Sequence, residues 1–317
     1  MPSLRQGSLH LFRVAGIDVF LHWSWFLIAV IEVGAWSDRY TSIAWAILEY
    51  LSLFVIVLLH EFGHALACRS VGGTADRIML WPLGGVAYVN PPQRPGATLW
   101  SLAAGPLVNV AIVPITLAAF FAASSAGWEQ SRPDLYQFIF TITFYINLGL
   151  LAFNLLPIYP LDGGQILRSL LWFFLGRGRS LAVATVLGFI GLIGYAVVAV
   201  MIHNTWMLIM GAYLLMSCWG GLQSARALIR LEKLPRRFGF ACPSCRSAPP
   251  LGDFWQCSHC HQRFDTFATG GLCPHCNARF ESTMCLYCAE RRPMTQWVAG
   301  AGTAAPAVNP TPFQQTL

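Results

Sequence analysis

Six stretches of the chain are almost free of charge, and each approaches the ~20 residues a helix needs to cross a bilayer. They are Ile17 to Trp36, Ile43 to Ala67, Ala97 to Ala123, Leu135 to Leu156, Leu181 to Ile202 and Trp206 to Ala225. The pattern predicts six transmembrane helices. The last two share an uncharged run from Ser180 to Ala225, too long for one crossing, and His203-Asn204-Thr205 supplies the turn. The first run contains Trp23, Trp25 and Trp36 and has no small-x-small cleavage site, so it reads as a retained span and not a signal peptide. Ile78 to Val89 is apolar but too short to cross, and Pro82, Gly84 and Gly85 interrupt any helix. A re-entrant hairpin fits that segment.

Composition agrees with the pattern: 56% of residues are hydrophobic and 11% charged, against about 25% charged in a typical soluble domain. Mean hydropathy is +0.54. A water-soluble globule is excluded. The 20 basic residues are 19 Arg and Lys233, most of them at the ends of apolar runs. With a cytoplasmic N-terminus, thirteen of these charges flank the spans on the cytoplasmic side and only Arg39 and Arg132 on the other. That asymmetry predicts a multi-pass membrane protein with both termini cytoplasmic.

Within the second apolar run stands His60-Glu61-Phe62-Gly63-His64, an HExxH motif. Residues four apart share a helix face, so both imidazoles reach one ion with Glu61 beside it, the arrangement of a zinc site with a carboxylate base. Such a motif also occurs on solvated faces of soluble helices. At membrane depth, however, an ionisable side chain costs on the order of 2.5 kcal/mol or more and marks function. Two histidines leave a catalytic zinc one protein ligand short. Candidates are Glu32, Glu49, His22 and Asp162. Glu49 lies eleven residues before His60, about three helical turns away. Glu32 sits near the far end of its run. Asp162 follows a stretch broken by Pro157, Pro160, Gly163 and Gly164, and an irregular backbone can turn a carboxylate inward.

Taken together, His60 to His64, the Pro82-Leu83-Gly84-Gly85 hairpin, Gly105-Pro106-Leu107-Val108-Asn109 and Asn154 through Gly164 resemble the site-2 protease family of intramembrane zinc metalloproteases. The resemblance covers most of residues 10 to 230 and is closest to compact bacterial members related to the sporulation protease of bacilli. It implies His60, His64 and Asp162 as zinc ligands and Glu61 as the base that activates water. It also implies that Leu80 to Val89, with Gly84 and Gly85, help hold an extended substrate. Asn154 matches a polar residue near the family's active site, and Asn109 and His22 match less closely; helix–helix hydrogen bonding accounts equally well for those two. The implied activity is hydrolysis of peptide bonds in or near transmembrane segments of membrane-anchored proteins. The alternative is a catalytically inactive, membrane-tethered zinc-ribbon adaptor.

After Arg237 come four CxxC pairs: Cys242 and Cys245, Cys257 and Cys260, Cys273 and Cys276, Cys285 and Cys288. Eight thiolates make two structural zinc sites, in a reducing compartment. Pairing of consecutive knuckles would make the double zinc ribbon that the segment resembles; a cross-braced pairing is the alternative. Between Phe238 and Arg292 five arginines meet four acids, a net of +1 that gives little attraction for nucleic acid. A protein regulator or a substrate tail is the expected partner. The expected organisation is therefore an all-α, six-span membrane core over residues 1–237, a small β-rich zinc module over 238–292 and a disordered tail over 293–317. Three zinc ions are expected, one catalytic and two structural.

Overall fold

The computed structural model describes residues 7–81 and 84–297, in two compact units, Met1–Ile229 and Arg230–Leu317. The Pro82-Leu83 tip of the expected hairpin, and residues 298–317 of the expected tail, lie outside the described residues.

The first unit begins with strands β1 (Ser8–Val14) and β2 (Ile17–His22), helices α1 (Ser24–Trp36) and α2 (Ile43–Ser70), and strands β3 (Thr74–Trp81) and β4 (Gly84–Asn90). There follow α3 (Pro95–Ser125), the single turn α4 (Trp128–Ser131) and α5 (Pro133–Phe140). A π-helical stretch, Thr141–Leu148, joins α5 to α6 (Gly149–Asn154), and α7 (Asp162–Leu175), α8 (Arg177–Met201) and α9 (Thr205–Glu232) complete the unit's helices. Among the described residues, five helices are long and apolar enough to cross a membrane: α2, α3, the continuous Pro133–Asn154 helix, α8 and α9.

The expected first span is not one helix. Ile17–His22 is a strand, and α1 has 13 residues, about 20 Å of helix against a hydrocarbon core of about 30 Å. The reason is visible in side-chain alternation: Ile17, Val19 and Leu21 are buried while Asp18, Phe20 and His22 are partly exposed. Length alone favours a helix there, but the period of two belongs to a strand. Strand and helix together still run along most of α2. Next to β2, the Gly16 carbonyl accepts from Arg69 Nη2 at 3.0 Å, and at the end of α1 the Trp36 ring lies 6.4 Å from that of Tyr50. Tyr50 to Arg69 covers about 28 Å along a helix axis.

The all-α expectation is corrected accordingly. The unit contains a four-stranded sheet in the order β1-β2-β3-β4, with β2 and β3 parallel and the outer pairs antiparallel. The expected hairpin is its β3–β4 part, in which Ile78 pairs with Ala87 and Leu80 with Gly85. The inner face of the sheet (Ile17, Val19, Ile78, Leu80) packs on Val57, Ala65 and Cys68 of α2. On another side α2 meets α3 closely. A Cβ at Gly63 would lie 2.7 Å from the Ala104 carbonyl oxygen, so glycine is required for that approach.

In the second unit, β5 (Trp255–Gln256) pairs with β6 (Arg263–Phe264), and β7 (Ser282–Met284) with β8 (Arg291–Pro293). Ordered structure does not stop at Arg292, because Met294–Trp297 forms a 3-10 turn and the Trp297 ring is 1% exposed, 4.9 Å from Phe267. The tail expected from 293 therefore begins no earlier than residue 298. The unit also starts before residue 238: Arg237 N–H donates to the Pro249 carbonyl and Leu251 N–H to that of Pro235. Trp255, Phe267, Trp297 and the cysteines Cys242, Cys285 and Cys288 form a common core.

Candidate active site and metal centres

His60, Glu61 and His64 are all buried on α2, and Asp162, the first residue of α7, meets them from a distant part of the chain. Asp162 Oδ2 lies 3.0 Å from His60 Nε2 and 3.4 Å from His64 Nε2, and the two Nε2 atoms are 3.1 Å apart. A tetrahedral zinc with bonds of about 2.0–2.1 Å has ligand–ligand edges of about 3.3 Å. The triangle therefore has the size of one face of a zinc tetrahedron.

The outer hydrogen bonds fix which imidazole nitrogens face inward. Asn109 Nδ2 donates to Asn147 Oδ1 at 2.9 Å, which leaves Asn109 Oδ1 to accept from His60 Nδ1 at 2.6 Å. His64 Nδ1 faces the Ser101 carbonyl at 2.8 Å, an atom that only accepts. Both histidines thus keep Nδ1 engaged with an acceptor and direct Nε2 at the Asp162 carboxylate, which makes Nε2 the nitrogen placed to ligate a metal ion. Three electron-pair donors face one point, and a divalent cation suits them. Gly105 of α3 closes this side: a Cβ there would lie 2.3 Å from His64 Nε2 and 2.8 Å from His60 Nε2.

Asp162 owes its position to backbone packing. The Leu155–Leu161 loop, which contains the cis Tyr159–Pro160 peptide, folds back over the first turn of α7. A Cβ on Gly163 would lie 2.3 Å from the Leu155 carbonyl oxygen, and one on Gly164 would lie 2.6 Å from the Ile158 carbonyl carbon. The Asp-Gly-Gly sequence permits this contact. Beside the triangle, Glu61 Oε2 accepts from the backbone N–H of Ala87 in β4 at 2.8 Å. A Cβ on Gly85 would lie 2.3 Å from Glu61 Cγ. Glu61 thus sits between the imidazoles and the free edge of the sheet.

A cavity of 440 Å³ surrounds these groups and includes Gly84, Gly85, Ala87, Asn154 and Tyr213 in its wall. An apolar cavity of 550 Å³ adjoins it, sharing Val57, Gly84, Leu150 and Phe153. Other sequence candidates stand apart from the triangle. Glu49 accepts from the Tyr40 hydroxyl and faces Arg39 at 3.5 Å; His22 stacks on Trp81 at 4.5 Å. Glu32 of α1 is likewise outside the converging set. Sequence reasoning missed Ser101 and Asn147. Asn147, a lone amide in an apolar run, carried a readable signal, whereas the Ser101 contact is a backbone carbonyl and carried none.

The cysteines form two clusters, Cys242, Cys245, Cys285 and Cys288, and Cys257, Cys260, Cys273 and Cys276. The first knuckle joins the fourth and the second joins the third, so the pairing is nested, neither consecutive nor cross-braced. Sulfur separations of 3.6–3.7 Å across knuckles approach the edge of about 3.8 Å expected from Zn–S bonds of about 2.3 Å. They are far longer than a disulfide of about 2.05 Å. All four knuckles share one backbone form: the residue after the second cysteine (Arg246, His261, Asn277 or Ala289) has positive φ, and its N–H returns to the first cysteine's carbonyl. Hydrogen bonds from Cys285 and Cys288 hold the Cys245 thiol far below its ordinary range, while Cys285 is pushed up to about 12 by its bond to Cys245.

A polytopic helical membrane protein with paired histidines on one span and a remote carboxylate completing the triangle defines a membrane-embedded metal-site class. Residues 49–131 and 126–198 match Peptidase family M50. Both matched segments lie within the membrane unit. Over 183 residues the chain is 36% identical to a zinc metalloprotease of Methanocaldococcus jannaschii, covering 57% of this chain and 50% of that protein. Over 121 residues it is 36% identical to stage IV sporulation protein FB of Bacillus subtilis, covering 37% of this chain and 38% of the other. The chain spans half or less of these relatives' lengths. A solved site-2 protease from Methanocaldococcus jannaschii aligns with 68% of this chain and 95% of its own, at 28% identity and a TM-score of 0.49.

Proposed function

We propose that this protein is an intramembrane zinc endopeptidase that hydrolyses peptide bonds in or near the transmembrane segments of membrane-anchored proteins. The observation that carries this reading is Glu61, a buried carboxylate between three converging donor atoms and a β-strand edge. In this reading His60, His64 and Asp162 hold the catalytic zinc and each cysteine cluster holds a structural one. When bound, the catalytic zinc supplies Lewis acidity, polarising the scissile carbonyl and bringing the pKa of water toward about 7.

The chain's own groups provide the remaining steps. Glu61 accepts the proton of the attacking water and delivers it to the leaving amine. The Ala87 N–H holds one Glu61 oxygen and leaves the other for that transfer. A transmembrane substrate hides its peptide bonds in helical hydrogen bonds, so it must unwind. The outer edge of β4 offers replacement hydrogen bonds to an extended segment, and Gly84 and Gly85 let that backbone approach. The adjoining apolar cavity receives flanking side chains.

The polypeptide crosses the cell membrane six times in this reading, with β2 and α1 together forming the first crossing and both termini on the cytoplasmic side. The partners are the bilayer, the membrane-anchored substrate and a protein regulator at the zinc module. Reconstituted cleavage of a tagged transmembrane substrate tests the activity. Glu61→Gln is expected to abolish cleavage while retaining zinc, since it removes the base and no ligand. Wild-type turnover by the zinc-loaded variant would overturn the reading.

A further inference from the structure

A polar cavity of 180 Å³ lies beside the catalytic cavity, and Val89, Leu102 and Gln165 belong to both walls. Two arginines line it, Arg168 on α7 and Arg177 in the first turn of α8. Gln93, Thr98, Ser101 and Gln165 are polar neighbours, and no aspartate or glutamate occurs among its described lining residues. The Arg177 guanidinium carbon lies 5.8 Å from the Trp172 ring centre, which steadies the side chain. Thr98 Oγ1 is buried and has no hydrogen-bond partner. Planar, bidentate donors beside an uncommitted hydroxyl suit a carboxylate.

The position relative to the scissile bond follows from β4. Ala87 of that strand binds Glu61; Val89 farther along it and Pro91, just past its end, line the polar cavity. At about 3.3 Å per residue, Pro91 is about 13 Å beyond Ala87. We propose that the Arg168–Arg177 cavity is a specificity subsite for an acidic side chain of the substrate, three or four residues from the scissile bond. This inference rests on the endopeptidase reading above.

The test uses the full-length, zinc-loaded protein in vesicles of neutral lipid with one transmembrane substrate. Glu, Ala or Lys is placed in turn at each of the second to fifth positions on either side of the cut. At the matching position Glu is expected to raise kcat/KM about tenfold or more over Ala, chiefly through KM. Arg168→Gln and Arg177→Gln should each bring the Glu-to-Ala ratio close to one, and Arg168→Glu should shift the preference toward Lys. Equal kcat/KM for Glu and Ala at every position in the wild-type protein overturns the subsite and leaves the endopeptidase reading intact. So does a Glu preference that persists in both glutamine variants. Stimulation by anionic lipid that ignores the substrate side chain and disappears in both variants assigns the arginines to a lipid phosphate, and likewise overturns the subsite. If no substrate in the series is cleaved, the endopeptidase reading fails. Binding of the Glu and Ala substrates to Glu61→Gln protein then decides the subsite separately, with equal affinities counting against it.

Discussion

Asn109 contacts His60 Nδ1 and, in the proposed site, would act on the metal through that ring. Its amide is polarised by Asn147 on one side and accepts the imidazole proton on the other, so two α-helices and a π-helical stretch orient one ring. Replacing Asn109 with Ala is expected to weaken the intramembrane zinc site by about 10–100-fold, measured by competition with a chelator, and Asn147→Ala should shift it in the same direction by less. Asp162→Asn should weaken it further, because a neutral amide is a poorer ligand than a carboxylate, while the spans stay inserted. Much of this centre was legible in the chain: four-residue spacing on a helix puts His60 and His64 together whatever the tertiary structure. Asp162 was legible through its broken backbone. Ser101 was not, because any residue type supplies the same carbonyl.

Glycines decide how closely the elements approach the site, and they separate two kinds of damage. Gly105 on α3 abuts the histidine nitrogens, whereas Gly85 on β4 abuts Glu61. Gly105→Ala should therefore eliminate the catalytic zinc, seen as the loss of one equivalent by metal analysis. Gly85→Ala should abolish cleavage with that zinc still bound. If both variants lost metal equally, the assignment of β4 to the base and not to the ligands would be wrong. At this scale the sequence was less informative. Alternation in Ile17 to Leu21 was masked by the apolar residues around it, so a strand that needs β1 and β3 as neighbours read as the start of a span. Partners far apart in sequence supply those hydrogen bonds, and hydropathy does not register them. The π-helical register that turns Asn147 toward Asn109 was equally hidden, since it depends on packing against α3.

The zinc module shows what neither spacing nor periodicity determines. Each CxxC forms its own knuckle from local backbone geometry, so eight ligands and two sites could be counted from the chain. Which knuckles share an ion depends on the aromatic core. Trp297, outside the segment first assigned to the module, packs edge-to-face against Phe267 and seals a core containing Cys242, Cys285 and Cys288, which favours closure of the first knuckle on the fourth. In a fold with so little apolar material, metal held by the two cysteine clusters would supply much of the folding free energy. The full chain is expected to hold three zinc ions, one in the membrane unit and two here. Pairs of Cys→Ser substitutions distinguish the nested arrangement by stoichiometry. Cys242 and Cys285 belong to one cluster and Cys242 and Cys257 to different ones. The Cys242→Ser/Cys285→Ser protein should therefore lose one zinc and retain two, while Cys242→Ser/Cys257→Ser should lose both structural ions and retain one. Consecutive pairing would give the reverse result, because Cys242 and Cys257 would then share a site, and the catalytic zinc serves as the internal standard in each measurement.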